Sequence, residues 1–178
     1  MDRIVPVDPT KPPSRFQRAM HSLGATGVAR WYGINVASRI DPPLLRLTRG
    51  RFATTGFFPL VLMTARGRKS GEPRTVALVY FTRGEEVILT ASSFGRARHP
   101  AWYLNVKASP EVELAQRGRT WRYVARETEG AERDRLFELS KALYRGYALY
   151  EEMATDREIP MLALRLAGGS EAGQDVAG

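Results

Sequence analysis

The 178 residues contain no cysteine and only two histidines, His21 and His99. That excludes thiol catalysis, disulfide staples, iron–sulfur clusters and the usual zinc sites, and it suits a reducing cytoplasm. Long apolar runs are missing as well. No stretch reaches the roughly 20 consecutive apolar residues of a spanning helix, so the chain is not expected to cross a membrane. There is no GxGxxG and no G-x-S-x-G, so neither a dinucleotide-binding turn nor a nucleophile elbow is present. Lysine is scarce, with 4 residues against 23 arginines. What chemistry remains must run on oxygen and nitrogen groups and on a borrowed cofactor.

What is present is a length fit for one domain with a real core and a net charge of +8. The charge is unevenly spread. Residues 1–110 hold 17 Lys/Arg against 6 Asp/Glu, while residues 111–178 hold 10 against 13. A basic first part faces an anionic partner if it faces anything: nucleic acid, an anionic membrane surface, or a phosphorylated or polycarboxylate cofactor.

Residues 1–13, MDRIVPVDPTKPP, read as a flexible extended arm punctuated by proline. Residues 14–40 read as a basic amphipathic helix: Ser14 is a candidate N-cap, Phe16, Met20, Leu23, Val28 and Trp31 recur near helical spacing, and Gly24 and Gly27 interrupt it. The main domain is expected over 41–168, after Asp41-Pro42-Pro43. Strands are expected at 59–65, 75–81, 86–92, 111–116, 120–127 and 159–166, mostly joined as hairpins. A short helix is expected at 101–109, and a longer one capped by Thr128 and running through Leu136, Leu139, Leu143 and Tyr147. The tail 169–178 is compositionally disordered. Short antiparallel strands without alternating crossover helices point to a small closed or half-open β-barrel.

Three stretches carry chemistry. Residues 67–74, GRKSGEPR, crowd Arg68, Lys69 and Arg74 into one turn with two glycines, offering guanidinium forks, an ammonium and exposed N–H groups to a phosphate or carboxylate. By itself a basic turn is more often only a solvated loop. Residues 92–105, SSFGRARHPAWYLN, place small hydroxyls and backbone N–H groups where a flat heterocycle could be met, with Trp102 beside it, although Trp102 alone reads better as a core anchor. Tyr144, Tyr147 and Tyr150 recur every three residues, as hydrogen-bond donors or as an ordinary aromatic stripe. A nucleic-acid surface built on Tyr80, Phe81, Trp121 and Tyr123 is a runner-up, since the same residues fit a barrel core.

Taken in order over roughly residues 40 to 166, GRKSGEPR, ASSFGRARHPAWYLNVKASPEVE, the tyrosine helix and TDREIP resemble the deazaflavin-dependent nitroreductase family. The most specific phrase is HPAWYLNVKASPEVE. The resemblance implies an α+β, mainly β fold: a small split β-barrel of the FMN-binding type, with an N-terminal helix and a C-terminal tyrosine-bearing helix packed on it. It implies an oxidoreductase, with hydride transfer from reduced coenzyme F420, an 8-hydroxy-5-deazaflavin with a phosphate and an oligoglutamate tail, to quinones, nitroaromatics or similar electrophiles. By resemblance, Arg68, Lys69 and Ser70 hold the phosphate and acidic tail, and Arg74, Thr75, Val76, Ala77, Leu78 and Val79 line the site. Thr90, Ala91, Ser92 and Ser93 meet the ring, and Ala101, Trp102, Tyr103, Leu104 and Asn105 pack on its side chain. Tyr147 contacts the ring, and Tyr144 and Tyr150 face the substrate. No metal is implied.

One departure stands out. Family members often read Ser-Lys-Gly-Gly where this chain has Ser92-Ser93-Phe94-Gly95, so a cation is lost and an aromatic that could narrow the substrate pocket is gained. Nucleic acid is not an expected partner. A peripheral contact of the N-terminal helix with an anionic membrane face is, in a cytoplasmic monomer or homodimer. The alternatives are a split barrel holding FMN or another cofactor, and a non-catalytic anion- or nucleic-acid-binding barrel.

Overall fold

A computed structural model describes residues 3–11, 32, 36, 38–48 and 58–168. In chain order the elements are α1 (Ser38–Leu47), β1 (Leu60–Arg66), β2 (Pro73–Arg83), β3 (Glu86–Thr90), α2 (Ala101–Ala108), β4 (Glu111–Gln116), β5 (Arg119–Thr128), α3 (Gly130–Leu143), α4 (Gly146–Met153) and β6 (Met161–Leu166). The strands form a closed barrel in the order β1-β2-β3-β6-β5-β4, with every neighbouring pair antiparallel. The β1–β4 pairing, Leu62 opposite Ala115 and Ala65 opposite Val112, closes it. The expected mainly-β barrel with helices packed on it is what the chain forms.

Alternation decides which side chains fill the barrel. Val61, Met63 and Ala65 of β1, Val87 and Leu89 of β3, Val112 and Leu114 of β4, Tyr123 and Ala125 of β5, and Leu162 and Leu164 of β6 make one cluster. The opposite faces of β3 and β6 are not left to water: Ile88, Met161 and Ala163 meet Leu136 and Phe137 of α3 and Tyr147 and Tyr150 of α4. Buried on both faces, β6 reads as an unbroken apolar run at its start. Each fully buried leucine or isoleucine here stabilises the fold by about 1.5–3 kcal/mol.

Three expectations are corrected. The leading residues are extended but not loose where described, because residues 4–7 lie across the barrel end formed by the start of β1 and the end of β2. Ile4 is 2% exposed within the barrel cluster. The Val5 amide donates to Gln116 Oε1 at 3.0 Å, the Tyr80 hydroxyl donates to the Val5 carbonyl at 2.8 Å, and the Thr82 amide donates to the Val7 carbonyl at 2.8 Å. Three apolar residues among the prolines supply the burial, and the interior tyrosines need partners for their hydroxyls.

The second correction concerns Pro42 and Pro43, which lie inside α1 rather than ending a helix at residue 40; the ring-fixed φ near −65° is itself helical. Most of the helix expected over 14–40 lies outside the described residues, as does the tail 169–178. Third, the helix read as continuous from Thr128 to Tyr147 is two. Thr128 ends β5 and donates its hydroxyl to the Met161 carbonyl at 3.1 Å, while Tyr144 is extended at φ −143°, ψ 106° and separates α3 from α4.

Candidate active site

The GRKSGEPR turn joins β1 to β2 and is held by its own backbone. The Gly67 amide donates to the Glu72 carbonyl at 2.8 Å, and the Gly71 amide to the Gly67 carbonyl at 2.7 Å. A Cβ on Gly67 would lie 2.9 Å from Ser70 Oγ and 3.0 Å from the Glu72 carbonyl oxygen, so the turn closes this tightly only around a glycine. Arg68, Lys69, Ser70 and Arg74 are exposed. Arg74 Nη2 donates to Ser70 Oγ at 3.4 Å.

No carboxylate among the described residues pairs with Arg68, Lys69 or Arg74. Other cations of the described residues do have acidic partners: Arg126 bonds Glu86 and Glu132, Arg165 bonds Glu86, and Lys141 bonds Glu138 and Glu151. Three cations without acidic partners on one hydrogen-bonded turn are a donor set whose chemistry suits a multiply charged anion.

The turn opens onto β2. Leu78 is opposite Val61 and Val76 opposite Met63, and both side chains pack on the barrel cluster. The alternating residues Thr75, Ala77 and Val79 therefore face outward, and Thr75 shares a 2.8 Å hydroxyl contact with Thr64. Of the six consecutive residues expected to line the site, exposed Arg74 and every second side chain of 75–79 can do so.

Beyond β3 the chain enters the loop expected to meet the ring. Ala91 is fully buried in the barrel cluster, and its amide donates to the Pro160 carbonyl at 2.9 Å, so it serves the fold. Ser92 and Ser93 are half-buried. Ser93, Phe94 and Gly95 are all left-handed, at φ 52°, 56° and 73°, which costs roughly 1–2 kcal/mol for each of the two residues with a Cβ. The run is held by Gly95 N–H to the Ser92 carbonyl at 3.0 Å and Arg96 N–H to the Ser93 carbonyl at 3.2 Å. Gly95 touches α4 so closely that a Cβ there would lie 2.8 Å from Met153 Cβ and 3.1 Å from Tyr150 Cα. The Phe94 ring meets the Tyr150 ring edge-on at 5.9 Å.

On α2 the expected residues divide. Ala101 is exposed, while Trp102 and Leu104 are half-buried against the barrel cluster. Tyr103 is 3% exposed and donates its hydroxyl to Glu127 Oε1 at 2.7 Å, with Lys107 Nζ 3.3 Å away. It plugs the barrel end. Asn105, 8% exposed, accepts the Arg68 amide at 3.2 Å through Oδ1 and so ties the cationic turn to the helix. His99 turns its Nδ1 to Arg157 Nη1 at 3.3 Å, and among the described residues it is hydrogen-bonded to no serine.

The three tyrosines do converge, despite the break between α3 and α4. Ring centroids are 5.2 Å apart for Tyr144 and Tyr147, and 6.1 Å for Tyr147 and Tyr150. The Tyr144 and Tyr150 hydroxyls are 3.2 Å apart, and the Tyr144 ring lies where a Cβ on Gly146 would stand. Tyr147 and Tyr150 are buried and Tyr144 half-buried. Burial, reinforced by the neighbouring Tyr144, pushes the Tyr147 hydroxyl well above its ordinary pKa of 10.0 despite a hydrogen bond with the Thr90 side chain. Burial likewise raises Tyr144, partly offset by its bond to Tyr150. Tyr144 and Tyr147 are therefore neutral hydrogen-bonding groups near pH 7. Among the described residues no His/Asp/Glu cluster fits a metal ion.

Residue contributions that sequence reading missed are the tether at Asn105, visible only across the fold, and Arg157, one arginine among many. Its nearest signal was its place in TDREIP.

Residues 39–165 match the family model described as F420H(2)-dependent quinone reductase. The F420H(2)-dependent quinone reductase Rv1261c of Mycobacterium tuberculosis is 35% identical over 92 residues, which cover 49% of this chain and 62% of that protein's length. A solved F420-H2 dependent reductase (FDR-A) is 38% identical with a TM-score of 0.55, covering 60% of this chain and 94% of its own. A further structure, described as a domain-swapped dimer, is 34% identical with a TM-score of 0.56, covering 69% of this chain and 92% of its own. With the family model spanning the barrel, the cationic turn, the loop after β3 and the tyrosine cluster together, the chain belongs to the F420H(2)-dependent quinone reductase family.

Proposed function

We propose that this protein binds coenzyme F420 and works as an oxidoreductase that passes a hydride to a quinone, nitroaromatic or similar electrophilic acceptor. The observation that carries the reading is the turn of three unpaired cations, Arg68, Lys69 and Arg74, fixed by its own backbone and by Asn105 inside the span that matches the family. A cofactor bearing a phosphate and several carboxylates fits that donor set, and an uncharged ligand does not.

Arg68, Lys69, Ser70 and Arg74 would hold the anionic groups, and the outward residues Thr75, Ala77 and Val79 would line the groove beside them. Thr90, Ser92 and Ser93 would present hydroxyls and backbone N–H groups to the ring system. Bound in its reduced form, the deazaflavin supplies the hydride. Tyr144, the least buried of the three tyrosines, would donate a hydrogen bond to the acceptor's oxygen and stabilise negative charge developing there, with Tyr150 orienting its hydroxyl. Tyr147 is better suited to supporting Thr90 than to touching an acceptor, because it is buried and hydrogen-bonded to Thr90.

Among the described residues no helix is long and apolar enough to cross a membrane. A peripheral contact with an anionic bilayer through residues 14–40, in a cytoplasmic setting, rests on their basic amphipathic pattern. Flotation with anionic vesicles tests it, and lipid-independent behaviour would sink it.

Titration of the purified protein with F420 and separately with FMN, followed by fluorescence, tests the cofactor assignment. Preference for F420, weakened roughly tenfold by Lys69→Ala or by added salt, is expected for an exposed charge contact worth about 1.4 kcal/mol. Equal or better binding of FMN would move the protein to a flavin barrel. Binding of neither would leave a barrel without this chemistry.

A further inference from the structure

Arg157 lies between α4 and β6, and its guanidinium reaches back to the loop that follows β3. Nη2 donates to the Ser92 carbonyl at 2.8 Å and Nε to the Arg96 carbonyl at 3.0 Å. Nη1 faces His99 Nδ1 and the Glu158 carbonyl, each at 3.3 Å. Arginine has no acceptor, so His99 must accept at Nδ1 and carry its proton on Nε2. No carboxylate among the described residues pairs with Arg157. Apart from the adjacent Glu158 carbonyl, its donors go to two main-chain carbonyls and one imidazole on the single loop after β3.

Ser92 and Arg96 bracket the left-handed run of Ser93, Phe94 and Gly95. A backbone of that shape persists only where its surroundings over-determine it. Gly95 against α4 pins one point. The planar fork of Arg157 pins both flanks at once, which an ammonium on a flexible stem cannot do.

We infer that Arg157 is a positioning residue of the active site: it holds the Ser92–Ser93 backbone in the shape that receives the deazaflavin ring, without touching the ligand itself. This rests on the proposed F420 reading. Burial disfavours the protonated form of His99, which would also set a second cation against Arg157, with Glu127 favouring it and Lys107 repelling it, so the clamp is a device of the neutral histidine.

The full-length variants Arg157→Ala and Arg157→Lys test this in two steps. Without cofactor, amide hydrogen exchange at Gly95 and Arg96 should accelerate at least about tenfold in Arg157→Ala and less in Arg157→Lys, with the barrel-strand amides unchanged. F420 affinity should then weaken about tenfold or more in Arg157→Ala, and non-denaturing guanidinium ion should restore both affinity and protection. Unchanged exchange at Gly95 and Arg96 overturns the inference. So does faster exchange with full F420 affinity, and so does faster exchange through the whole barrel, which would mark a general stabiliser. If the unmodified protein binds no F420, the cofactor reading fails and this assignment with it, while the exchange step still shows whether the clamp itself exists.

Discussion

The backbone amide of Arg68 donates to the carboxamide oxygen of Asn105 across 3.2 Å, so the anion-binding turn is anchored to a helix that closes the barrel end. Asn105→Ala removes the acceptor at a nearly buried position and should cost about 1 kcal/mol of stability. It should also weaken F420 binding, although Asn105 holds the turn rather than the ligand. Asn105→Asp keeps an acceptor but adds a negative charge beside the cations, so its affinity loss should shrink as salt is raised. Denaturant melts and titrations at two ionic strengths separate the two effects. Equal affinity in all three proteins would show that the tether is irrelevant to binding.

Alkaline stability follows from the tyrosines. Tyr147 has a hydroxyl pKa raised by burial above its ordinary 10.0. In the unfolded chain that hydroxyl ionises near 10, and in the folded protein only at higher pH. The folded state thus holds more protons above pH 10, and stability should fall as pH rises from there. Tyr80, Tyr103, Tyr123 and Tyr144 are shifted in the same direction, with burial the largest cause for each. Tyr147→Phe should cost about 1 kcal/mol at pH 7 through its lost bond with Thr90, and should flatten the alkaline decline. A variant declining as steeply as the parent would show that Tyr147 already titrates normally.

Much of this architecture is legible along the chain because hairpins announce themselves. The expected strand at 111–116 matches β4, and the other strands are offset at one or both ends by one or two residues. Closure of the barrel is not legible in the same way, since the β1–β4 pairing joins distant segments and leaves no local mark. A glycine amid the tyrosines, Gly146, is a local sign of close packing, yet that the Tyr144 ring fills the space beside it, and that the helix breaks there, depends on tertiary contact. Val76, Leu78, Ala91 and Tyr103 fall inside site segments by position but face the barrel interior. A contiguous motif cannot tell the two faces of a strand apart.

Gly95→Ala should be among the most disruptive single-methyl changes. The φ of 73° disfavours a side chain, and the new methyl would meet Met153 Cβ at 2.8 Å and Tyr150 Cα at 3.1 Å. Together these should cost about 3 kcal/mol and lower Tm by roughly 10 °C. A thermal melt unchanged within a degree would mean that α4 can simply move aside.

Ile4→Ala tests whether the leading residues belong to the fold. Ile4 is 2% exposed in the barrel cluster, so truncation should destabilise by about 2–4 kcal/mol. A surface residue would cost within about 0.5 kcal/mol, and that result would return residues 3–7 to the status of a loose arm.

The unbroken ring of six strands has one more consequence. Each strand is hydrogen-bonded to a neighbour on both sides over only part of its length, and among the described residues β2 from Pro73 to Val79 pairs with β1 while its pairing with β3 begins only at Tyr80. Closure thus confines the open backbone ladder to short stretches such as this one beside the cationic turn, and over the doubly paired stretches a second copy can engage the barrel only through side chains.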